Sequence, residues 1–263
     1  MTSKAEDAIG ALRTGYDTLA EFVGGLRPDD LVRPSGASEW KVADVLSHLG
    51  SGAEIGLATL EGALDGTGPR AGDFNTSVWD RWNAMSPADQ AANFLTATEK
   101  QIQRYEGLDD DQLANLRIDF GFLPEPVDVA TAVGMRLTEF ALHSWDVRVG
   151  FDADAALAPE STEILLDSVG RLLSWAGKAD QYDGSLVLTV NTTAPDRTFG
   201  LSIADTAELT DTPASADGVL NAPAEYIVRL ITGRNAPEHT PASVTLTSEK
   251  ITLAQLRPVF PGF

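Results

Sequence analysis

"RLTEFALHSWDVRVG", residues 136–150, reads as one long helix with two kinds of face. Glu139 and His143 are four residues apart, so their side chains project from the same face about one turn apart. Arg136 and Asp146 extend that polar stripe in both directions. Val133, Leu137, Phe140 and Trp145 flank it with the side chains that a bundle helix buries. A polar stripe between apolar flanks either faces water or lines a polar site inside a bundle. Spacing alone leaves both readings open, because a single Glu-x-x-x-His is usually a helix-surface pair contributing roughly a few tenths of a kcal/mol.

The preceding chain supplies partners for such a helix. Residues 3–25 carry Ile9, Leu12, Tyr16, Leu19 and Phe22 at near-helical spacing and end on a Gly pair. A second helix is predicted to start after Ser38 as N-cap, with Glu39 in its first turn. Its apolar face holds Val42, Val45, Leu46 and Leu49, with His48 and Asp44 bordering it. A third helix fits "SPADQAANFLTATEKQIQRYEGL", with Ser86 capping and Pro87 in the first helical position. The fourth runs from about Val127 to Val149. Residues 66–78, "GTGPRAGDFNTSV", read as a loop. Four long helices with such connections predict an antiparallel bundle.

Beyond residue 152 the character changes. One more helix, "PESTEILLDSVGRLLSWAG", precedes "GSLVLTVNTTAPDRTFGLSIAD", whose alternation and β-branching predict two strands of a hairpin. "APAEYIVRLITGR" then reads as a short amphipathic helix, followed by a strand-like "SVTLTS" and a last helical turn. The fold class is therefore α+β in two domains: a four-helix bundle over 1–152, and a small α+β domain with an antiparallel sheet over 153–263.

Composition narrows the function. The 263 residues include 19 basic and 39 acidic ones, a formal net charge of −20. Such a surface repels phosphate backbones and anionic lipid, so neither nucleic acid nor a membrane is expected as a partner. No apolar run is long enough to span a bilayer, and the first residues lack the basic start and apolar stretch of a secretory signal, so a cytoplasmic location is expected. The absence of an outstanding exposed apolar helix face suggests a monomer. With no cysteine, disulfides, zinc–thiolate clusters, iron–sulfur ligation and a cysteine nucleophile are excluded. Any thiol chemistry needs a thiol carried by a small molecule.

Two imidazoles and a carboxylate on bundle helices suit Zn²⁺. Three protein ligands, His48, Glu139 and His143, would leave one position open, the arrangement of a catalytic rather than a structural zinc. The words around them carry a resemblance. "EWKVADVLSHLG" (39–50) and "RLTEFALHSWDVRVG" (136–150) resemble the two signature segments of the mycothiol-dependent maleylpyruvate isomerase family. Trp40, Val42, Asp44, Val45, His48 and Leu49 match the first pattern; Glu139, His143, Trp145 and Asp146 match the second. The ending, "LITGR" and then "LRPVFPGF", is similar to the family's C-terminal domain.

That resemblance implies a DinB-like bundle followed by a sterol-carrier-like domain. It implies a divalent metal, zinc first, on His48, Glu139 and His143, and mycothiol as thiol cofactor or co-substrate. The implied activity is isomerase or S-transferase chemistry on a small electrophile, with a zinc-activated thiolate as nucleophile. Asp44 and Asp146 are candidates to orient the ligating imidazoles, or else ordinary surface acids. For a carboxylate-bearing substrate the candidate cation is Arg234, which matches the family's Gly-Arg and alternatively serves as a helix C-cap contact. Arg229 lies near it, and Arg136 is a competing anchor. His239, in a polar loop, reads as exposed and idle. The contrasting function is a non-enzymatic small-molecule or lipid-binding protein with a structural metal.

Overall fold

The computed structural model describes residues 3–70 and 72–262. The chain divides into two units, Met1–Asp152 and Ala153–Phe263.

In the first unit, α1 (Lys4–Gly24), α3 (Val42–Leu64), α5 (Pro87–Glu106) and α7 (Val129–Val149) are the long helices. Short helices α2 (Pro28–Leu31), α4 (Phe74–Asn83) and α6 (Asp110–Asn115) sit in the connections, and a two-residue antiparallel ladder pairs β1 (Arg117–Ile118) with β2 (Val127–Asp128). α3 packs mainly on α5, and α1 mainly on α7, which closes the bundle. The buried faces follow the sequence periodicity: Ile9, Leu12, Tyr16 and Leu19 from α1, and Val42, Val45, Leu46 and Leu49 from α3. Ion pairs then join neighbouring helices. Arg13 of α1 reaches both Glu99 and Glu106 of α5, at 2.6 Å and 2.8 Å, and Arg104 of α5 reaches Glu61 of α3 at 2.7 Å.

The helix starts have local causes. Ser3 and Glu6 form a reciprocal capping box on α1, and the Ser86 hydroxyl accepts from the Asp89 N–H where α5 begins with Pro87. α7 starts at Val129, with the Asp128 carboxylate accepting from the Thr131 N–H at 2.7 Å. The second predicted helix begins later than expected. Glu39 is not in a helical turn: it has φ of +66°, and α3 starts at Val42. Asp44 explains the shift, since its carboxylate accepts from the Lys41 N–H at 2.8 Å and fixes the first turn there. The stretch read as a loop, 66–78, is helical from Phe74, because Val78 and Trp82, one turn apart, bury themselves and anchor α4. Trp82 fits only because position 50 is glycine, where a Cβ would lie 2.2 Å from the indole.

The second unit opens with α8 (Pro159–Ala176). A five-stranded sheet follows in the order β5-β4-β3-β6-β7, from β3 (Leu186–Thr193), β4 (Arg197–Ile203), β5 (Ala207–Thr210), β6 (Gly218–Pro223) and β7 (Thr245–Ser248). α9 (Ala224–Ile231) leaves β6, and α10 (Leu253–Leu256) closes the chain. The hairpin β3–β4 is antiparallel, with Leu188 opposite Leu201. The sheet is antiparallel but for one pair: β6 runs parallel to β3, because residues 211–217 carry the chain across from the edge strand β5. Leu186, Leu188, Val190, Leu201, Ile203 and Leu220 are buried on one face, and α8 packs against α9 and β5. Among the described residues no helix is long and apolar enough to cross a membrane.

Candidate metal centre

α3 and α7 each carry a polar edge beside an apolar face, and the bundle brings those edges together. His48 Nε2 lies 3.2 Å from Glu139 Oε2, and His143 Nε2 lies 3.7 Å from the same oxygen. The two imidazole centroids are 4.6 Å apart. One donor atom from each of His48, Glu139 and His143 lies within 4.8 Å of the others. The site is accessible, with His48 at 38% and Glu139 at 41% side-chain exposure, whereas His143 is at 15%.

His143 is the best-fixed member. Its Nδ1 is 2.8 Å from the carboxylate of Asp146, a residue with no exposed surface. An ionised carboxylate only accepts, so Nδ1 carries a proton, and Nε2 is the nitrogen that faces Glu139. The backbone around Asp146 is pinned in turn. The Gly36 N–H donates to the Asp146 carbonyl at 2.7 Å, and a Cβ on Gly36 would meet Val149 at 2.6 Å. This close approach docks residues 35–40 on α7. Trp40, at the end of that segment, stacks on the His143 ring with centroids 5.9 Å apart and an interplanar angle of 18°. Its indole also sits 5.3 Å from the His48 ring.

The electrostatics keep the carboxylate ionised. Burial pushes the Glu139 pKa upward, but the hydrogen bond with His48 and the charges of His143, His48 and Arg136 outweigh it and hold the pKa at about 2. Arg136, one turn earlier, donates from Nη2 to the Leu49 carbonyl at 2.8 Å. Its Nε is enclosed with no hydrogen-bond partner among the described residues, and burial draws its pKa down to about 10 against the pull of Glu139 and Tyr105.

The remaining sequence candidates fall elsewhere. Asp44 caps α3, and of the two acids Asp146 is the one that meets a ring of the cluster among the described residues. In the second unit, the Arg234 Nη1 donates to the Thr232 carbonyl at 3.1 Å, and its N–H donates to the Arg229 carbonyl just past α9. Arg229 is 1% exposed and doubly paired with Glu225, at 2.7 Å and 2.8 Å. His239 is half-buried rather than exposed, with Nδ1 at 3.3 Å from the Ala153 carbonyl and its own carbonyl accepting from Arg229. The stacking of Trp40 and the tie between Arg136 and Leu49 were missed by sequence reasoning, since nothing in local spacing announces a contact across more than eighty residues.

Two histidines and a glutamate at the accessible edge of a helical bundle, one imidazole held by a buried aspartate, define a donor set of the kind that binds a divalent metal. Residues 12–148 match the family model described as the mycothiol maleylpyruvate isomerase N-terminal domain. The chain belongs to that family. Among solved structures it is similar to the crystal structure of the mycothiol-dependent maleylpyruvate isomerase, with TM-score 0.67 and 12% identity over 96% of this chain and 98% of that one. A histidine-to-alanine mutant of the same isomerase gives TM-score 0.67 and 13% identity over the same shares. At such identities the likeness is one of fold. No curated protein matches the sequence.

Proposed function

We propose that this chain is a metal-dependent, mycothiol-using enzyme, an isomerase or S-transferase acting on a small electrophile. The convergence of His48, Glu139 and His143 from two helices, in a chain of this family, is the observation that carries the reading. The donor chemistry fits: neutral imidazole nitrogens and an ionised carboxylate are the ligands zinc takes, and three of them leave a place for an incoming group. Bound there, zinc supplies the Lewis acidity that lowers the pKa of a thiol brought to it. The chain has no cysteine of its own to offer, and mycothiol is the thiol that the family's name carries.

The protein's residues do the positioning. Asp146 holds the Nδ1 proton of His143 and so presents Nε2 as the donor. Trp40 stacks on the His143 ring and lies tilted beside that of His48, which restricts how both imidazoles can turn. Glu139 stays ionised across the physiological range and supplies the one negative charge of the donor set. Arg234 enters the reading as a cation for a substrate carboxylate, since a guanidinium fork accommodates that group in a bidentate manner. The accessibility of His48 and Glu139 favours this reading over a binding protein with an enclosed structural metal.

The test is a titration of mycothiol into zinc-loaded and metal-free protein, followed by turnover of maleylpyruvate as the first electrophile. Mycothiol binding that requires zinc supports the proposal. Equal binding with and without metal contradicts it.

A further inference from the structure

Resting on the metal-centre reading, we propose that Arg136 forms an anion subsite inside the bundle, holding a carboxylate of the ligand beside the His48–Glu139–His143 cluster. Three observations carry it. The first is that this guanidinium is under-satisfied. Only Nη2 has a hydrogen bond, to the Leu49 carbonyl, while Nε has none, and no carboxylate pairs with Arg136 among the described residues. By contrast, Arg13, Arg81 and Arg104 each have an acid within ion-pair distance. Glu139 acts on this half-buried cation only at longer range, so a bound anion would supply the direct partner that it lacks.

The second observation is that α3 presents no side chain at the two positions facing these polar groups. Gly52 and Gly56 lie one turn apart on α3 and are both partly accessible. A Cβ at Gly52 would meet Arg136 Nη1 at 3.2 Å, and one at Gly56 would meet Gln101 Nε2 at 2.3 Å. Polar heads from α7 and α5 therefore fill a slot that any side chain on α3 would close. Gln101 Oε1 and Thr98 Oγ1, both buried, also lack hydrogen-bond partners. Unsatisfied polar groups on neighbouring helices suit a polar ligand rather than an apolar one.

The third is charge balance. With Glu139 as its only anionic ligand, a divalent metal leaves the cluster net positive, and Arg136 adds another positive charge one turn away on α7. The rest of the protein is strongly acidic, at −20, so an anionic ligand needs a local cationic pair to overcome the overall field.

The experiment is calorimetric titration of maleate, with uncharged dimethyl maleate as control, into the full-length protein with and without zinc. The variants are Arg136→Met, Arg136→Lys, Gly52→Ala and Arg234→Met. The subsite predicts about 10- to 100-fold weaker maleate binding in R136M in both metal states, with zinc content unchanged. It also predicts partial recovery in R136K and no change for dimethyl maleate. If R136M does not fold, G52A displaces the guanidinium without removing it and should still weaken maleate. Undiminished maleate binding in folded R136M or G52A overturns the subsite, as does a loss seen only in R234M or wild-type protein that binds no maleate. Arg136-dependent maleate binding in a protein that takes up no zinc would support the subsite while sinking the metal reading.

Discussion

Asp146 shows how a single buried carboxylate sets the chemistry of its neighbour. Removing its charge while keeping its shape, in Asp146→Asn, lets the side-chain amide donate to Nδ1 and favours the wrong tautomer of His143. Zinc affinity should fall about 10- to 100-fold in a chelator competition, and an unchanged affinity would show that the hydrogen bond does not orient the ligand. Gly36 acts one step further out. Gly36→Ala places a methyl group about where Val149 and Trp145 already lie, so it should destabilise the fold by roughly 1–3 kcal/mol in denaturant unfolding. It should also disturb the stacking of Trp40 on His143, read as a changed tryptophan emission. At this scale the sequence was informative for the donor cluster and for Asp146, but not for the supports further out. His48, Glu139 and His143 stand out because ionisable residues at helical spacing interrupt apolar faces. Gly36 and Trp40 do not, because their roles depend on a segment more than a hundred residues away in the chain.

Helix pairing in the bundle depends on polar ties as well as on buried leucines. Arg13 holds the Glu99 carboxyl below its ordinary pKa, chiefly through their hydrogen bond, and so links α1 to α5. A carboxyl whose folded pKa is depressed stabilises the fold fully above its unfolded pKa, and that contribution is lost as pH falls through the folded value. Glu99→Gln should therefore be less stable than the parent near neutral pH. The two should converge as pH drops below about 4.5, measured as thermal midpoints across an acid series. A constant difference at all pH values would mean the pair contributes nothing electrostatic. The start of α5 was legible because its cap, Ser86, is local. The start of α3 was misplaced because Ser38 looks like a better cap than Lys41. The decisive group is Asp44, which reaches back to the Lys41 N–H. The sheet was half legible. The β3–β4 hairpin is announced by alternation, whereas β5 and β6 are short, and the parallel pairing of β6 with β3 depends on a crossover that no local pattern encodes.

The whole molecule joins a helical bundle carrying the donor cluster to an α+β unit, and binding linkage tests the first of these as a unit. A ligand that binds the native state alone raises stability by RT ln(1 + [L]/Kd). Zinc at a hundredfold excess over its Kd should add about 2.7 kcal/mol, seen as a higher unfolding midpoint that the His48→Ala variant does not share. The activity proposed for the bundle depends on His48, Glu139 and His143 forming a metal centre. Elemental analysis of protein purified without a metal-affinity tag, with His143→Ala alongside, tests it most directly. About one equivalent of zinc per chain is expected in the parent, and its loss in the variant. No metal in the parent after zinc is offered, or equal metal in both proteins, would contradict it.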